Sequence, residues 1–446
     1  MVVPIFNSGD VEDVKNYRGV YNQSVMTKLL DSLVHDQLHW QCKHIVGETQ
    51  FGFSKGKSTT ENLVLYESDL LESLERGYQV DSVYTDFSKA FDRVVFKLLF
   101  AKLEALGFSL QVRRWFESFL VGRTQSVKIN SYISRSLVVT SGVPQGSHCA
   151  PLLFNLFVSD IVDVVNHSKV LMFADDLKLY RRVVQWEDTL LLQRDLNALY
   201  EWTQVNHLLL NVNKCAFISF YKINERVDSN YQIDHVNLVR VKVVKDLGVW
   251  FDEKLNFVEH VSRISISGTR MLGFIMRHSS SFSLGTMRVL YCTLVRSTVE
   301  YSTTVWSPLY AVHSSVIERI QNKFLRYTAY NMKINMTDYH RSAMLELLNL
   351  STLHDRRIMF DAFFLFKLLR GITDCPQLLS KINFNVPMRH LRTFELFHVP
   401  YHATNYGMHS PIDRTLRFLN VHQDHFDIFG CTLSGFKRIM KNIVNL

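Results

Sequence analysis

The sequence predicts an α+β fold. Up to about Asn256, short strand-like runs alternate with stretches of helical periodicity; beyond it the β signals fade and helical patterns take over. No internal repeat or low-complexity linker interrupts the chain, so its divisions follow those pattern changes, at residues 1–256, 257–330 and 331–446.

In VYTDFSKAFDRV (Val83 to Val94) an apolar β-type run ends at Asp86 and a helical pattern follows. Val95, Leu98, Leu99, Leu103 and Leu106 keep helical spacing, and Gly107 sits where a C′ residue belongs. SVKIN (Ser126 to Asn130) and LVVT (Leu137 to Thr140) read as strands, the second feeding the loop SGVPQGS (Ser141 to Ser147). A long apolar helix over about Ala150 to Val165 comes next. VLMFADDLKLY (Val170 to Tyr180) reads as a hairpin, with strands at 170–173 and 177–180 around a turn at 174–176. Further on, helices are expected over Val258 to Arg277, Met287 to Arg296 and Val316 to Arg326, the last with an apolar stripe of Ile317, Ile320 and Phe324. The tail from about 331 is helical at first, then rich in His, Phe and Pro without clear periodicity.

Composition bounds the function classes. Of 446 residues, 47% are hydrophobic and 21% charged, which describes a globular chain rather than a disordered one. Lys and Arg number 50 against 42 for Asp and Glu, and the resulting charge of +8 favours a polyanionic partner. The six cysteines are scattered with no C-x-x-C, which speaks against a disulfide framework or a zinc knuckle. The N-terminus lacks a signal pattern, and FDAFFLFKLL (Phe360 to Leu369) is too short and too charged to span a bilayer. A soluble, intracellular protein of nucleus or cytoplasm, with no membrane partner, is expected.

The chemistry-bearing residues are carboxylates. Asp86 ends one strand, and Asp175 and Asp176 occupy a hairpin turn. If those strands pair centrally in one sheet, three repelling carboxylates converge at one edge, an arrangement that divalent cations would neutralise. Oxygen ligands from a few Asp residues, with water and substrate phosphates, are what Mg²⁺ prefers. Two such ions roughly 4 Å apart clamp the attacking and leaving oxygens of an in-line phosphoryl displacement. Solvated Asp turns are the alternative that spacing alone leaves standing. Arg263, Arg270, Arg277, Arg288, Arg296, Arg319, Lys323 and Arg326 stud the later helices, either as solvated faces or as a basic lobe beside a nucleic acid.

An ordered set of motifs resembles the reverse transcriptases of non-LTR (LINE-like) retrotransposons, especially the insect jockey-like kind. VPIFNSGD (Val3 to Asp10) with Asn16, Tyr17 and Arg18 resembles the first fingers motif, and QFGFSKGKSTT (Gln50 to Thr60) the second. YTDFSKAFD (Tyr84 to Asp92) resembles the first carboxylate motif. SGVPQG (Ser141 to Gly146) followed by PLLFN (Pro151 to Asn155) resembles the Pro-Gln-Gly motif, and FADD (Phe173 to Asp176) the paired-Asp motif. Asn213-Lys214 and Asp246-Leu247-Gly248 sit where the Lys motif and the primer-grip hairpin follow.

The resemblance implies a right-hand polymerase: an antiparallel-sheet palm with an RRM/ferredoxin-like core, helical fingers and a helical thumb. Residues 1–256 would be fingers and palm, 257–330 the thumb, and 331–446 a C-terminal helical and irregular extension. It implies RNA-directed DNA synthesis on an RNA template from a DNA primer, using dNTPs and two Mg²⁺ ions, with Mn²⁺ as the other candidate ion. Asp86, Asp175 and Asp176 would be the catalytic, metal-binding carboxylates, with Asp176 supporting the other two. Phe87, Phe91, Gln145, Gly146, Lys55, Lys57 and Lys214 would lie at the nucleotide, with Phe91 as a steric gate that leaves no room for a 2′-hydroxyl. Lys214 would serve as an acid toward departing pyrophosphate, or stand as a plain surface lysine. Leu247 and Gly248 would form the primer grip, and Arg263, Arg270, Arg277 and Lys323 would meet nucleic acid.

The chain departs from the family pattern near its start. The more N-terminal fingers segment and the endonuclease domain usual on the same polyprotein are expected to be missing. After Arg18 the sequence runs GVYNQS (Gly19 to Ser24) where the family has Pro-Ile-Ser-Leu. HATNYGMHSPIDR (His402 to Arg414) resembles the tail found after the thumb in related elements. A nucleic-acid-binding remnant without polymerase activity is the alternative function. An RNA-templated RNA polymerase is a third, though such enzymes usually carry a second Asp where Phe91 stands.

Overall fold

The computed structural model of the protein describes residues 1–7, 9–222, 226–279, 281–335, 337, 339–386 and 395–444. The chain forms two compact units. One comprises Met1–Ser58, Asp81–Phe217 and Val227–Arg240; the other comprises Thr59–Val80, Ile218–Arg226 and Val241–Leu446.

The first strands, β1 (Val2–Phe6) and β2 (Tyr17–Tyr21), pair antiparallel from Val2 opposite Tyr21 to Phe6 opposite Tyr17. Helix α1 (Val25–Val46) follows with Ser24 capping its first turn, and α2 (Thr59–Glu75) lies after the second Gly-containing loop. Strand β3 (Gln79–Thr85) is buried along almost its whole length, as expected of a strand covered on both faces. Its one interior charge is satisfied: the Asp81 carboxylate accepts hydrogen bonds from Ser229 Oγ and Tyr231 Oη, each at 2.7 Å.

After β3 come α3 (Phe96–Ala105), α4 (Leu110–Leu120) and α5 (Cys149–Phe157), then β4 (Lys169–Phe173), β5 (Asp176–Val183), α6 (Trp186–Val205), β6 (Ala216–Phe220) and β7 (Val239–Arg240). The sheet order is β7-β6-β3-β5-β4. With β7 set aside this is the βαββαβ order of a ferredoxin-like core, the palm expected from the motifs. Leu99, Leu103, Phe116, Leu153, Phe157, Leu179, Leu196 and Phe217 are all fully buried in one cluster that these helices and strands share.

Several expectations need correction. The apolar helix after the Gly/Pro loop stops at Phe157, and a 3₁₀ turn (Ser159–Val164) continues it. At this junction the Ser159 hydroxyl donates to the Leu156 carbonyl at 2.9 Å. Ser126 to Asn130 and Leu137 to Thr140 are not full strands. They contribute two-residue pairs, Thr124–Gln125 with Leu137–Val138 and Lys128–Ile129 with Tyr132–Ile133, in an exposed ribbon that has no core to extend it.

In the second unit, β8 (Val243–Asp246) and β9 (Val249–Asp252) form a hairpin. Helices α7 (Val258–His278), α8 (Leu284–Leu290) and α9 (Ala311–Asn331) follow, with a π-helical turn (Tyr291–Arg296) where an α-helix was expected. Ile317, Ile320 and Phe324 are buried as predicted, and the Tyr291 ring stacks on Phe324 at 4.2 Å. The tail is more regular than its sequence suggests, with α10 (Leu353–Leu369), α11 (Pro411–Val421) and α12 (Leu433–Val444). Its polar groups line up along α2. Lys381 pairs with Asp69 and Glu72 at 3.1 and 3.3 Å, and the Glu75 carboxylate accepts from the amides of Ala403 and Gly407 at 2.9 and 3.1 Å.

Candidate active site

The first unit holds an open cavity of about 950 Å³. Asp86 and Asp175 both line it, along with Phe91, Gln145, Gly146 and Lys214 from the expected set. Lys15, Arg18, Lys89, Asp92 and Arg93 line it as well.

Asp86 follows the last residue of β3, and its backbone is pinned from outside the strand. Its carbonyl accepts from Asn211 N at 2.7 Å, and Ser88 N donates to Leu209 O at 2.9 Å. The same segment turns into a 3₁₀ turn (Val212–Lys214) that brings Lys214 Nζ to 3.6 Å from Asp86 Oδ2. Both side chains are substantially exposed, 69% and 40%, so this ion pair adds little stability and stays available to other charges.

Asp175 sits in the two-residue turn between β4 and β5, where Phe173 pairs with Asp176. Burial pushes its carboxyl above the ordinary Asp range and Asp86 adds to the rise, while its own backbone amide and the Arg18 guanidinium pull the other way. Burial is the main cause of that rise, and two carboxylates on one open wall are oxygen donors of the kind a divalent cation takes. Asp176 is placed differently: it begins β5, is exposed, and is not part of the cavity wall. Among the described residues no three His, Cys, Asp or Glu side chains form a ready metal cluster. Of the three expected carboxylates, Asp86 and Asp175 line the cavity and Asp176 does not.

Phe91 lies in a 3₁₀ turn (Ala90–Arg93), its ring stacked on Phe154 at 4.5 Å and 16° and met edge-on by Phe53 at 6.1 Å. The Gly/Pro loop is stapled to this turn: Val143 N donates to Phe91 O at 2.8 Å and Ser141 Oγ to Asp92 O at 3.0 Å. Tyr21 N donates to Gln145 O at 2.8 Å, and the buried Asp31 carboxylate accepts from the amides of His148 and Cys149 at 2.6 and 3.1 Å. These bonds hold Gln145 and Gly146 at the cavity.

Other expected site residues have different company. Phe87 is 5% exposed and belongs to the core cluster, so its ring is engaged there although the residue borders the cavity. Lys57 Nζ donates to the carbonyls of Gly47, Glu48 and Gln50 at 2.9–3.1 Å, a loop-closing role in place of the expected phosphate contact. Lys55 Nζ lies 4.8 Å from the centre of the Trp40 ring. Neither lysine is in the cavity wall.

The expected grip and nucleic-acid residues belong to the second unit. Leu247 and Gly248 form the tip of the β8–β9 hairpin with φ of +42° and +94°. Tyr301 Oη donates to Leu247 O at 2.9 Å and lies 3.0 Å from the Thr59 hydroxyl. Arg270 and Lys323, with Arg319, line a groove of about 410 Å³ between α7 and α9. A neighbouring depression shares Arg319 and Lys323 and adds Arg326. Arg277 is exposed near the end of α7. Arg263 is engaged within the unit, paired with Glu259 at 2.6 Å and stacked over Trp250 at 3.9 Å. Arg296 pairs with the buried carboxylate of Glu300 at 3.5 Å.

Sequence reading gave no role to Arg18 although its motif was recognised, and none to Lys15, Lys89 or Asp92. A basic residue beside a recognised motif was the available signal; their shared wall is visible only in three dimensions.

Comparison with known proteins supports these motifs. The chain is 26% identical over 352 residues to the probable RNA-directed DNA polymerase from transposon X-element of Drosophila melanogaster, covering 74% of this chain and 37% of that protein. It is 27% identical over 337 residues to the RNA-directed DNA polymerase from mobile element jockey of the same organism, covering 70% and 36%. The chain thus spans a little over a third of the length of these relatives. Among solved structures, telomerase from Candida albicans in complex with a fragment of telomeric RNA aligns with a TM-score of 0.37 and 11% identity, over 76% of this chain and 63% of that one, a likeness too loose to carry any inference. Residues 8–274, with Asp86, Asp175 and the Gly/Pro loop among them, match the family described as reverse transcriptase (RNA-dependent DNA polymerase), and the chain belongs to that family.

Proposed function

We propose that this chain is an RNA-directed DNA polymerase that extends a DNA primer on an RNA template, as in retrotransposition. The observation that carries the reading is one cavity wall. Asp86 and Asp175 face it together with Arg18, Lys15, Lys89 and Lys214, and Phe91 stands beside them. Two carboxylates ringed by cations suit a nucleoside triphosphate, whose phosphates need both counter-charge and oxygen-ligated metal. Two divalent cations, Mg²⁺ or Mn²⁺, held by Asp86 and Asp175 with Asp176 in support, would neutralise charge on the attacking and leaving oxygens.

The remaining work falls to the chain's own residues. Arg18 and Lys15 orient the phosphates, and Lys214, whose Nζ lies 3.6 Å from Asp86 Oδ2, donates a proton to departing pyrophosphate. Phe91, braced on Phe154, excludes a 2′-hydroxyl, while Gln145 and Gly146 border the nascent pair. Residues 1–256 act as fingers and palm, with Leu247 and Gly248 gripping the primer, and 257–330 as thumb, whose Arg270–Lys323 groove follows the duplex backbone with exposed Arg277 nearby. Arg263 enters only through the face of its stacked guanidinium.

Purified protein should extend oligo(dT) on poly(rA) with dTTP and Mg²⁺ and prefer dNTPs over rNTPs, a preference that Phe91→Val relaxes. Absence of extension by folded protein, with salt-sensitive RNA binding retained, would support the second reading of a binding remnant. That reading draws on Asp176, one of the expected carboxylates, which begins β5 outside the cavity wall, while the exposed cations remain for salt-sensitive binding.

A further inference from the structure

The turn that carries Asp175 is not self-supporting. Ala174 adopts φ of +58°, left-handed backbone that a residue with a Cβ disfavours. Its support comes from Gln50, 124 positions earlier in the chain and only 2% exposed. Gln50 Oε1 accepts from Ala174 N at 2.9 Å and from Gly52 N at 2.9 Å, and its Nε2 donates to Ala174 O at 3.2 Å. One buried amide thus closes both backbone polar groups of the strained residue and fixes its own loop as well.

The neighbouring chain makes room for this. A Cβ at Gly52 would lie 2.2 Å from Ala174 N, so the loop backbone touches the turn backbone directly. Asn155 Nδ2 donates to Gly52 O at 2.9 Å and holds the loop from the other side. Phe51 N donates to Met172 O, and Met172 N to Thr49 O, each at 2.9 Å, so residues 49–51 run along β4 up to the turn. Gln50 itself is not in the cavity wall.

We propose that Gln50 is a positioning residue: its side-chain amide sets the Ala174–Asp175 turn so that the Asp175 carboxyl faces the cavity. This rests on the polymerase reading above. A misplacement of about 1 Å at a reacting centre costs on the order of 100-fold in rate, so loss of the clamp should show in turnover more than in substrate binding.

The test uses Gln50→Met, similar in size but without the amide, and two readouts on the whole chain. Hydrogen exchange of the segment 170–180, followed by mass spectrometry, should accelerate at least about tenfold at residues 173–176. Extension of oligo(dT) on poly(rA) should lose at least about tenfold in kcat, while the Kd for primer–template stays within about threefold. Unchanged exchange in folded Q50M overturns the clamp; accelerated exchange with kcat within about twofold of the parent overturns its role in positioning. Should Q50M not fold, Gln50→Asn, which keeps a buried amide one methylene short of Ala174, is read by the same two criteria. A parent chain that extends no primer defeats the polymerase reading, and exchange then decides alone whether Gln50 holds the turn.

Discussion

The two hairpin turns at the centre of this reading are held by different means. The β4–β5 turn is fastened by a buried side-chain amide that takes both polar groups of Ala174. The β8–β9 turn is fastened by one hydroxyl of Tyr301, itself 42% exposed, on the Leu247 carbonyl. On the polymerase reading the first turn presents a carboxylate to a metal and needs a fixed geometry, for which burial removes water as a competing partner. On the same reading the second turn follows a moving primer and can be held by a bond that water competes for. Charge is also disposed differently at one place in each unit. The first leaves Asp86, Asp175, Arg18 and Lys214 on an open wall, whereas the second buries Glu67, Asp361 and Arg414 among themselves.

The sharpest test of that contrast lies within one turn. Asp175→Asn should lower primer extension by about 10³-fold, the equivalent of about 4 kcal/mol. Asp176→Asn, off the cavity wall, should cost only about tenfold by the same measure. Equal losses would mean that the two carboxylates act together.

The next comparison sets the turns against each other through their glycines. Gly52→Ala forces a Cβ against the Ala174 backbone at 2.2 Å, whereas Gly248→Ala meets the edge of the Tyr301 ring at 2.8 Å. The ring can shift and the backbone cannot. Gly52→Ala should therefore cost about 3 kcal/mol in urea denaturation, and Gly248→Ala about 1–2 kcal/mol, chiefly from its φ of +94°. The reverse order would break the distinction between a rigid turn and a compliant one.

A smaller effect is expected from Tyr301→Phe. Losing this exposed hydroxyl, with its contacts to the Leu247 carbonyl and the Thr59 hydroxyl, should cost about 0.5–1 kcal/mol of stability and raise the KM for primer a few-fold with kcat unchanged. A fall in kcat instead would place the β8–β9 turn among the rigidly required elements.

The smallest effect concerns the buried charges, and it depends on pH. Burial holds the Glu67 carboxyl well above the usual range, with Arg414 drawing it down, and its Oε2 has no hydrogen-bond partner among the described residues. The folded chain keeps a proton that the unfolded chain releases above pH about 4.3, so this group costs stability as pH rises from there toward its folded value. Glu67→Gln should raise the melting temperature by about one degree at neutral pH and leave it unchanged near pH about 4. An equal gain at both would assign the effect to packing rather than to charge.

What the sequence disclosed followed the range of the interactions involved. The hairpin at Asp175 was legible because two short apolar runs around a turn are a local signal, although the turn is two residues and not the expected 174–176; so was the helix before Gly107, whose φ of +81° suits a C′ glycine. The end of α5 was missed because apolar residues continue past Phe157, at Val158, Ile161, Val162, Val164 and Val165, so the pattern marks no stop there. In the tail, Ser410 caps α11 with Pro411 at its first position and Asp413 in its first turn, a start signal that the surrounding His and Phe residues obscured. The fates of the cations were illegible: nothing local tells that Lys57 closes a loop, that Arg263 lies on Trp250, or that Lys214 meets Asp86. The Gln50 clamp spans 124 positions and leaves no periodic trace.

The segment that carries this clamp has one more effect. β4 is the last strand of its sheet, and a last strand offers unpaired amides and carbonyls to any passing chain. Thr49 and Phe51 occupy that margin through their bonds to Met172. Loosening residues 49–51 would therefore do more than slow a reaction. It would bare an adhesive border, and variants in this stretch should clump at concentrations where the parent chain stays dispersed.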